Sequence, residues 1–286
     1  MKHFWIAAIL VSGLVAAEPA KADQVVVTYS PAGQTSPNFS STSSNGICYQ
    51  TSVCDYGTEN FTGWSGSSTF NSTFKDAGAG SYNQPAGVTF SGAYNVGSGT
   101  TTGSGGEWVS VAQNQYGGVS GLNYPELYGP GGATNAGTAT AASYTLTLSS
   151  AGVPGINYFG IWISALDAQN GLTIYDGSTV VAQFTAATLQ AELGNCSGAN
   201  PYCGNPTSQY LGQDSGELFV YVNVFDLTGY ITSVTFTNTG TTGFESDNHA
   251  VAYANPVHVV GTPVPEPGTL SLMGLGLVAL NRLRRR

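Results

Sequence analysis

A chain of 286 residues with 7 basic against 16 acidic side chains, a formal charge of −9, has too little positive charge to hold a phosphate backbone. Nucleic-acid binding is therefore excluded as a reading. The asymmetry sharpens between residues 23 and 264, which carry fourteen of the acids and a single base, Lys75. Such a body suits solubility outside a cell, divalent cations or repulsion from anionic membranes. Its polar cover must come from Ser, Thr, Asn and Gln, in a chain that holds 39 glycines.

The first residues read as an export signal. Met1-Lys2-His3 is a small positive start, residues 4–17 are apolar, and Ala20-Lys21-Ala22 offers an A-x-A cleavage site before Asp23. Residues 1–22 are thus expected to be a signal peptide removed by signal peptidase. Residues 23–85 read as a loop-rich start to the body, opened by one strand at Val25–Tyr29.

From residue 86 to 262 short strands follow one another. Residues 88–90 and 108–112 are weak candidates; 144–148, 158–163, 172–175, 180–184, 218–224, 231–237 and 250–253 are stronger. Each is short, rich in β-branched and aromatic types, and bounded by turn formers. Tyr175-Asp176-Gly177-Ser178 signals a tight hairpin, and residues 188–193 a short helix. Many short antiparallel strands with almost no helix predict an all-β fold, an antiparallel β-sandwich of jelly-roll type. Period two places Phe159, Ile161 and Ile163 on the core face and turns Trp162 the other way, outward or under a loop.

All four cysteines lie in the body as two local pairs, Cys48/Cys54 and Cys196/Cys203. In an exported chain this predicts two loop-clipping disulfides; zinc competes, but its cysteine ligands usually stand closer in sequence. Catalytic signatures are sparse. There is no Gly-x-Ser-x-Gly, no His-Glu-x-x-His, and the Gly-rich residues 97–106 lack a phosphate-loop lysine. Asp167, Asp176, Glu245 and Asp247 supply the carboxylates a glycosidase needs, as any acidic β-domain would. The expectation is a protein that is not an enzyme. Glu245, Asp247 and Asn248 form the densest polar cluster, read as oxygen ligands for a structural calcium or as solvated residues beside a strand. Trp64, Trp108 and Trp162 read as stacking platforms for sugar rings or as core anchors.

The last 23 residues are ordered in three parts. Val264-Pro265-Glu266-Pro267-Gly268 should be extended, because each proline fixes its own φ and disfavours helix before it. Residues 269–280 are apolar and lead to Asn281-Arg282-Leu283-Arg284-Arg285-Arg286. Twelve helical residues reach about 18 Å, short of the roughly 30 Å of a bilayer core, which suits a temporary inner-membrane anchor. Arg282, Arg284, Arg285 and Arg286 should stay cytoplasmic and leave everything before Pro265 outside.

This tail closely resembles the PEP-CTERM sorting signal of Gram-negative bacteria, in which Pro265, Glu266 and Pro267 would be the motif read by the membrane protease-transpeptidase exosortase. A looser resemblance, over roughly residues 86–254, is to the exported domain of many exosortase-dependent surface proteins. It rests on Tyr158-Phe159-Gly160-Ile161-Trp162, Asn170-Gly171-Leu172-Thr173-Ile174-Tyr175-Asp176-Gly177, Tyr221-Val222-Asn223 and Gly243-Phe244-Glu245-Ser246-Asp247-Asn248. The resemblances imply residues 263–286 as a sorting signal with a short transmembrane helix. They also imply a surface or extracellular-matrix role linked to exopolysaccharide or biofilm. The competing expectation is a calcium-assisted carbohydrate-binding module with extracellular polysaccharide as its partner.

Overall fold

A computed structural model describes residues 24–66, 69–76, 82–97, 107–119, 123–129 and 142–263. These residues form two antiparallel sheets packed face to face. The first holds β1 (Val25–Tyr29), β2 (Val53–Glu59), β5 (Glu107–Val111), β6 (Tyr124–Tyr128), β8 (Tyr158–Leu166), β11 (Leu218–Asp226), β13 (Glu245–Asn255) and β14 (Thr262–Pro263). Its order is β14-β1-β11-β8-β13-β6-β5, with β2 also paired to β13. The second runs β10-β9-β12-β7-β4-β3, made of β3 (Thr69–Ser72), β4 (Thr89–Val96), β7 (Ala142–Ala151), β9 (Asn170–Asp176), β10 (Thr179–Thr185) and β12 (Ser233–Asn238).

Alternation sets the core. On β7, Tyr144, Leu146 and Leu148 point inward between half-exposed threonines and serines, and on β12 Val234 and Phe236 do the same. Phe159, Ile161 and Ile163 of β8 meet them from the opposite sheet, as the period-two reading requires. Phe236 is the centre of the stack, with its ring 4.1 Å from Tyr144 and 5.3 Å from His249.

The first sheet is buried on both faces at β8 and β11. Its outer face carries two further apolar clusters. One packs Phe39, Ile47 and Cys48 over Tyr158, Phe225, Ala250 and Ala252. The other gathers Val119, Ala165, Phe219 and Tyr221 around Trp162, whose Nε1 donates to the Gly117 carbonyl at 2.9 Å. Trp162 therefore lies on the face opposite Phe159, under a loop.

Local signals explain the remaining elements. Gly177 takes φ +56 in the tight β9–β10 hairpin, where Thr179 pairs with Asp176. The one helix among the described residues, α1 (Ala186–Leu193), starts two residues earlier than expected. Thr185 caps it by accepting from the Thr188 N–H at 3.2 Å, and the Thr188 hydroxyl accepts from the Thr185 N–H at 2.8 Å. Both disulfides form as paired in the sequence, Cys48–Cys54 and Cys196–Cys203, with Cα separations of 5.5 and 5.4 Å.

Residues 23–85 require a correction. They are loop-rich over residues 30–52, but they are not set apart from the sandwich, since β1 pairs with β11, β2 with β13 and β3 with β4, so they complete both sheets. β2 escaped the strand pattern because Val-Cys-Asp-Tyr-Gly-Thr-Glu interleaves acids and a glycine with its apolar residues. β6, Tyr-Pro-Glu-Leu-Tyr, escaped because proline and a buried acid break the β-branched run. The segments expected to be a signal peptide and an apolar C-terminal helix lie outside the described residues. Among those described, no helix is long and apolar enough to cross a membrane.

The ring stack makes Phe236 a costly truncation. Phe236→Ala should lower unfolding free energy by about 3–5 kcal/mol. Chemical denaturation measures it, and a loss near that of a surface change would show that the two sheets do not meet there.

Candidate functional site

The polar segment singled out in the sequence, Glu245 to His249, opens β13, and a break in strand phase shapes it. Regular alternation would send Ser246 and Asn248 to one face and His249 to the other. The ladder with β8 instead shifts register between Asp247 and Ala250, and Asn248 takes φ +46. This bulge brings Ser246 and His249 to the same side, inside the sandwich. Ser246 Oγ lies 3.2 Å from His249 Nε2 and 3.2 Å from the Tyr144 hydroxyl, while His249 Nδ1 lies 3.0 Å from the Tyr94 hydroxyl.

The Ser246–His249 spacing is that of a nucleophile and its base, but the setting differs. Ser246 is 1% and His249 0% exposed, and Phe61, Phe159 and Phe236 surround the ring. Burial depresses the imidazole pKa to about 3, so the ring is neutral and has a polar partner at each nitrogen. Every polar group of the set is answered by another member, which is what a dry core demands.

Glu245, Asp247 and Asn248 do not converge on one point. Glu245 faces Glu126 across the β13–β6 pair, and the two carboxyls hydrogen-bond each other. Asp247 accepts from the Asn248 N–H at 2.7 Å, and the Asn248 amide donates to the Thr35 carbonyl at 2.7 Å. All three are buried, so they are not solvated surface either. Among the described residues, no three His, Cys, Asp or Glu side chains form a group able to hold a metal ion.

What sequence reading missed is the acid pairing. Glu126 and Glu245 are each 4% exposed, and Glu245 Oε2 has no hydrogen-bond partner. A Cβ at Gly243 would overlap an oxygen of both carboxyls, so only glycine lets them approach. Burial raises the pKa of both, and Glu126 raises that of Glu245 further. A second pair, Glu59 with Asp76, sits beside the Phe61 N–H, which donates to Glu59 at 2.6 Å. Burial, followed by the bond to Asp76, pushes Glu59 up to about 8. Neither pair is visible in a sequence, because its members are 119 and 17 positions apart. Of the other acids considered for glycosidase chemistry, Asp176 lies at the β9–β10 hairpin, in the opposite sheet from Glu245 and Asp247.

The three tryptophans also require a correction. Trp64, Trp108 and Trp162 are 6%, 1% and 0% exposed. Trp64 and Trp108 sit 4.2 Å apart, and Trp108 stacks on Tyr144 at 4.8 Å. They anchor the core, and none offers a ring to a sugar.

Residues 263–286 match the PEP-CTERM protein-sorting motif. The chain therefore carries that signal, which indicates exosortase-dependent export and sorting. Pro265, Glu266, Pro267 and the arginines Arg282, Arg284, Arg285 and Arg286 lie within it and outside the described residues. No curated protein and no solved structure matches the chain.

The buried acids and the buried imidazole act oppositely with pH. The carboxyls have raised folded pKa values, so their share of stability is whole below about 4.5 and is lost as pH rises, through about 8 for Glu59. His249 is depressed, so its share is whole above about 6.5 and is lost as pH falls towards 3. Glu245→Gln should keep a hydrogen bond to Glu126 while removing one titration. Its melting temperature should exceed that of the unaltered chain at pH 8, with the advantage shrinking at pH 4. An equal difference at both values would show that the pair does not titrate as a unit.

Proposed function

We propose that this chain is an exported bacterial surface or extracellular-matrix protein without enzymatic activity, linked to exopolysaccharide and biofilm. It is held briefly at the inner membrane by its C-terminus and released by exosortase near Pro265-Glu266-Pro267. The observation that carries the reading is the match of residues 263–286 to the sorting motif. A body stapled by two disulfides supports it, since such bonds persist in oxidising compartments. The non-enzymatic part draws on the Ser246–His249 pair, the nearest arrangement to a catalytic one, being sealed in the core. We read the sandwich as a jelly-roll variant: β7, β8 and β9 alternate between sheets, and β11, β12 and β13 alternate beside them.

Replacing Pro265, Glu266 and Pro267 with alanine should leave a longer, membrane-retained form in cells that possess an exosortase. Separate tags on the body and the C-terminus read this out on a blot. Both tags remaining on one full-length species of the unaltered chain would overturn the sorting reading.

A second reading, a calcium-assisted carbohydrate-binding module, is favoured by one observation. Glu126 and Glu245 meet in a buried site with Glu245 Oε2 unpartnered, where a cation would take the place of a shared proton. Calcium should then raise the melting temperature at neutral pH by mass action, and a chelator should reverse it. No change with either would remove calcium from the account.

A further inference from the structure

The end of β13 far from Glu245 is covered on its outer face by residues 36–52. This segment is held at many points. The Ile47 N–H donates to the Asn38 carbonyl at 2.7 Å, His258 Nδ1 lies 2.9 Å from the Gly46 carbonyl, and the Ser52 hydroxyl donates to the Asn255 carbonyl at 2.6 Å. The Cys48–Cys54 bond fastens it to β2. On the other side Asn83 is clamped to the same strand. It exchanges two backbone hydrogen bonds with Tyr56, at 2.9 and 3.1 Å, and its amide donates to the Cys54 carbonyl at 2.7 Å.

A cleft of about 710 Å³ remains, lined among others by Asn38, Phe39, Ser41, Thr51, Tyr56 and Asn83. That volume falls in the range of small-molecule sites, roughly 300–1,000 Å³. Its chemistry is unlike the rest of the body. Fourteen acids are spread over residues 23–264, yet none of the described lining residues carries a charge. An ionic ligand would find no counter-charge among them. The aromatic part is Tyr56, half-buried, its ring stacked 4.1 Å from that of Phe39 at 13°. The rest is mostly amide and hydroxyl, beside Pro37 and the Cys48–Cys54 bond, too polar to suit a purely apolar guest. Aromatic surface beside neutral donors and acceptors matches a ring with C–H groups on its faces and hydroxyls at its rim. The disulfide in the wall fixes the cleft before a ligand arrives, which limits the ordering cost of binding.

We propose that this cleft binds an uncharged polyhydroxylated ligand, a short stretch of neutral polysaccharide, with Tyr56 as its stacking surface and Asn38, Ser41, Thr51 and Asn83 as its polar rim. The proposal rests on the second reading above only for its ligand class. It needs neither calcium nor cleavage, because Glu245 lies at the opposite end of β13 and the sorting motif begins at residue 263.

The test uses the full chain, purified in a detergent without a sugar head group. The probes are neutral hexasaccharides of glucose or mannose in different linkages, with hexagalacturonate as the charged control, and calorimetry gives Kd. At least one neutral hexasaccharide should bind, hexagalacturonate should not, and Tyr56→Ala should weaken binding about tenfold or more. Because Tyr56 also supports Phe39, Ser41→Trp is the companion variant: Ser41 is exposed, so its bulk fills the cleft without touching the core. It should abolish binding with melting temperature unchanged. No binding by any neutral probe, equal binding of hexagalacturonate, or binding that survives Ser41→Trp would each overturn the proposal. None of these results bears on tail cleavage, so the sorting reading stands or falls separately.

Discussion

The constraint on which this fold turns is that β8 and β11 are buried on both faces. A sandwich needs only its inner faces covered, and an antiparallel sheet normally leaves its other face to water. Here the outer face of the first sheet carries Tyr158, Trp162, Phe219, Tyr221 and Phe225, too much aromatic surface to leave wet. Everything unusual about the chain follows from covering it. The loop-rich start folds back over one end, with Phe39 and Ile47 as its plugs, and the residues around Gly117 and Val119 roof the other. Both covers are irregular backbone, and the Cys48–Cys54 bond makes one of them rigid.

Two-sided burial also strands polar groups. The Tyr158 hydroxyl donates to Asn223 at 2.9 Å, whose amide donates to Ser30 at 3.1 Å, and the Tyr221 hydroxyl donates to the Asn248 carbonyl at 3.1 Å. Gly160 sits between those two tyrosines, where any Cβ would overlap both hydroxyls. The acids are harder to satisfy than the phenols. With a single lysine in the body, Glu59 and Glu245 each have another carboxyl for a partner, and proton sharing takes the place of an ion pair. Low basic content, a property of composition, thus reappears as a particular kind of contact.

Legibility followed the same division. Val25–Tyr29 announced itself by its β-branched run, and the strand holding Phe159, Ile161 and Ile163 by period two. The orientation of Trp162 followed from the same rule. β2 and β6 did not, because Asp55, Glu59 and Glu126 are buried acids, and local propensity carries no information about their burial. The tryptophans were ambiguous in principle, since a large ring serves a core as readily as a ligand, and only their exposure decides. The bulge that returns His249 to the interior was equally invisible. Nothing in Asp247-Asn248-His249 announces a left-handed residue, and its cause is packing against β8. The tail was the reverse case, legible as an ordered set of residue types alone.

The pairing of the first strand with the last, Thr28 with Pro263 and Tyr29 with Thr262, has a mechanical meaning. Any load drawn through the chain beyond Pro263 reaches the fold at β14, the outermost strand of its sheet. That ladder is two pairs long, whereas β1 behind it is held to β11 by five. Traction at the C-terminus would therefore strip a two-residue clasp before it strained the sheet, and slackening would let it close again. Pro265 lies two positions beyond this clasp, so when the clasp yields, the residues that follow gain reach while the sandwich keeps its shape.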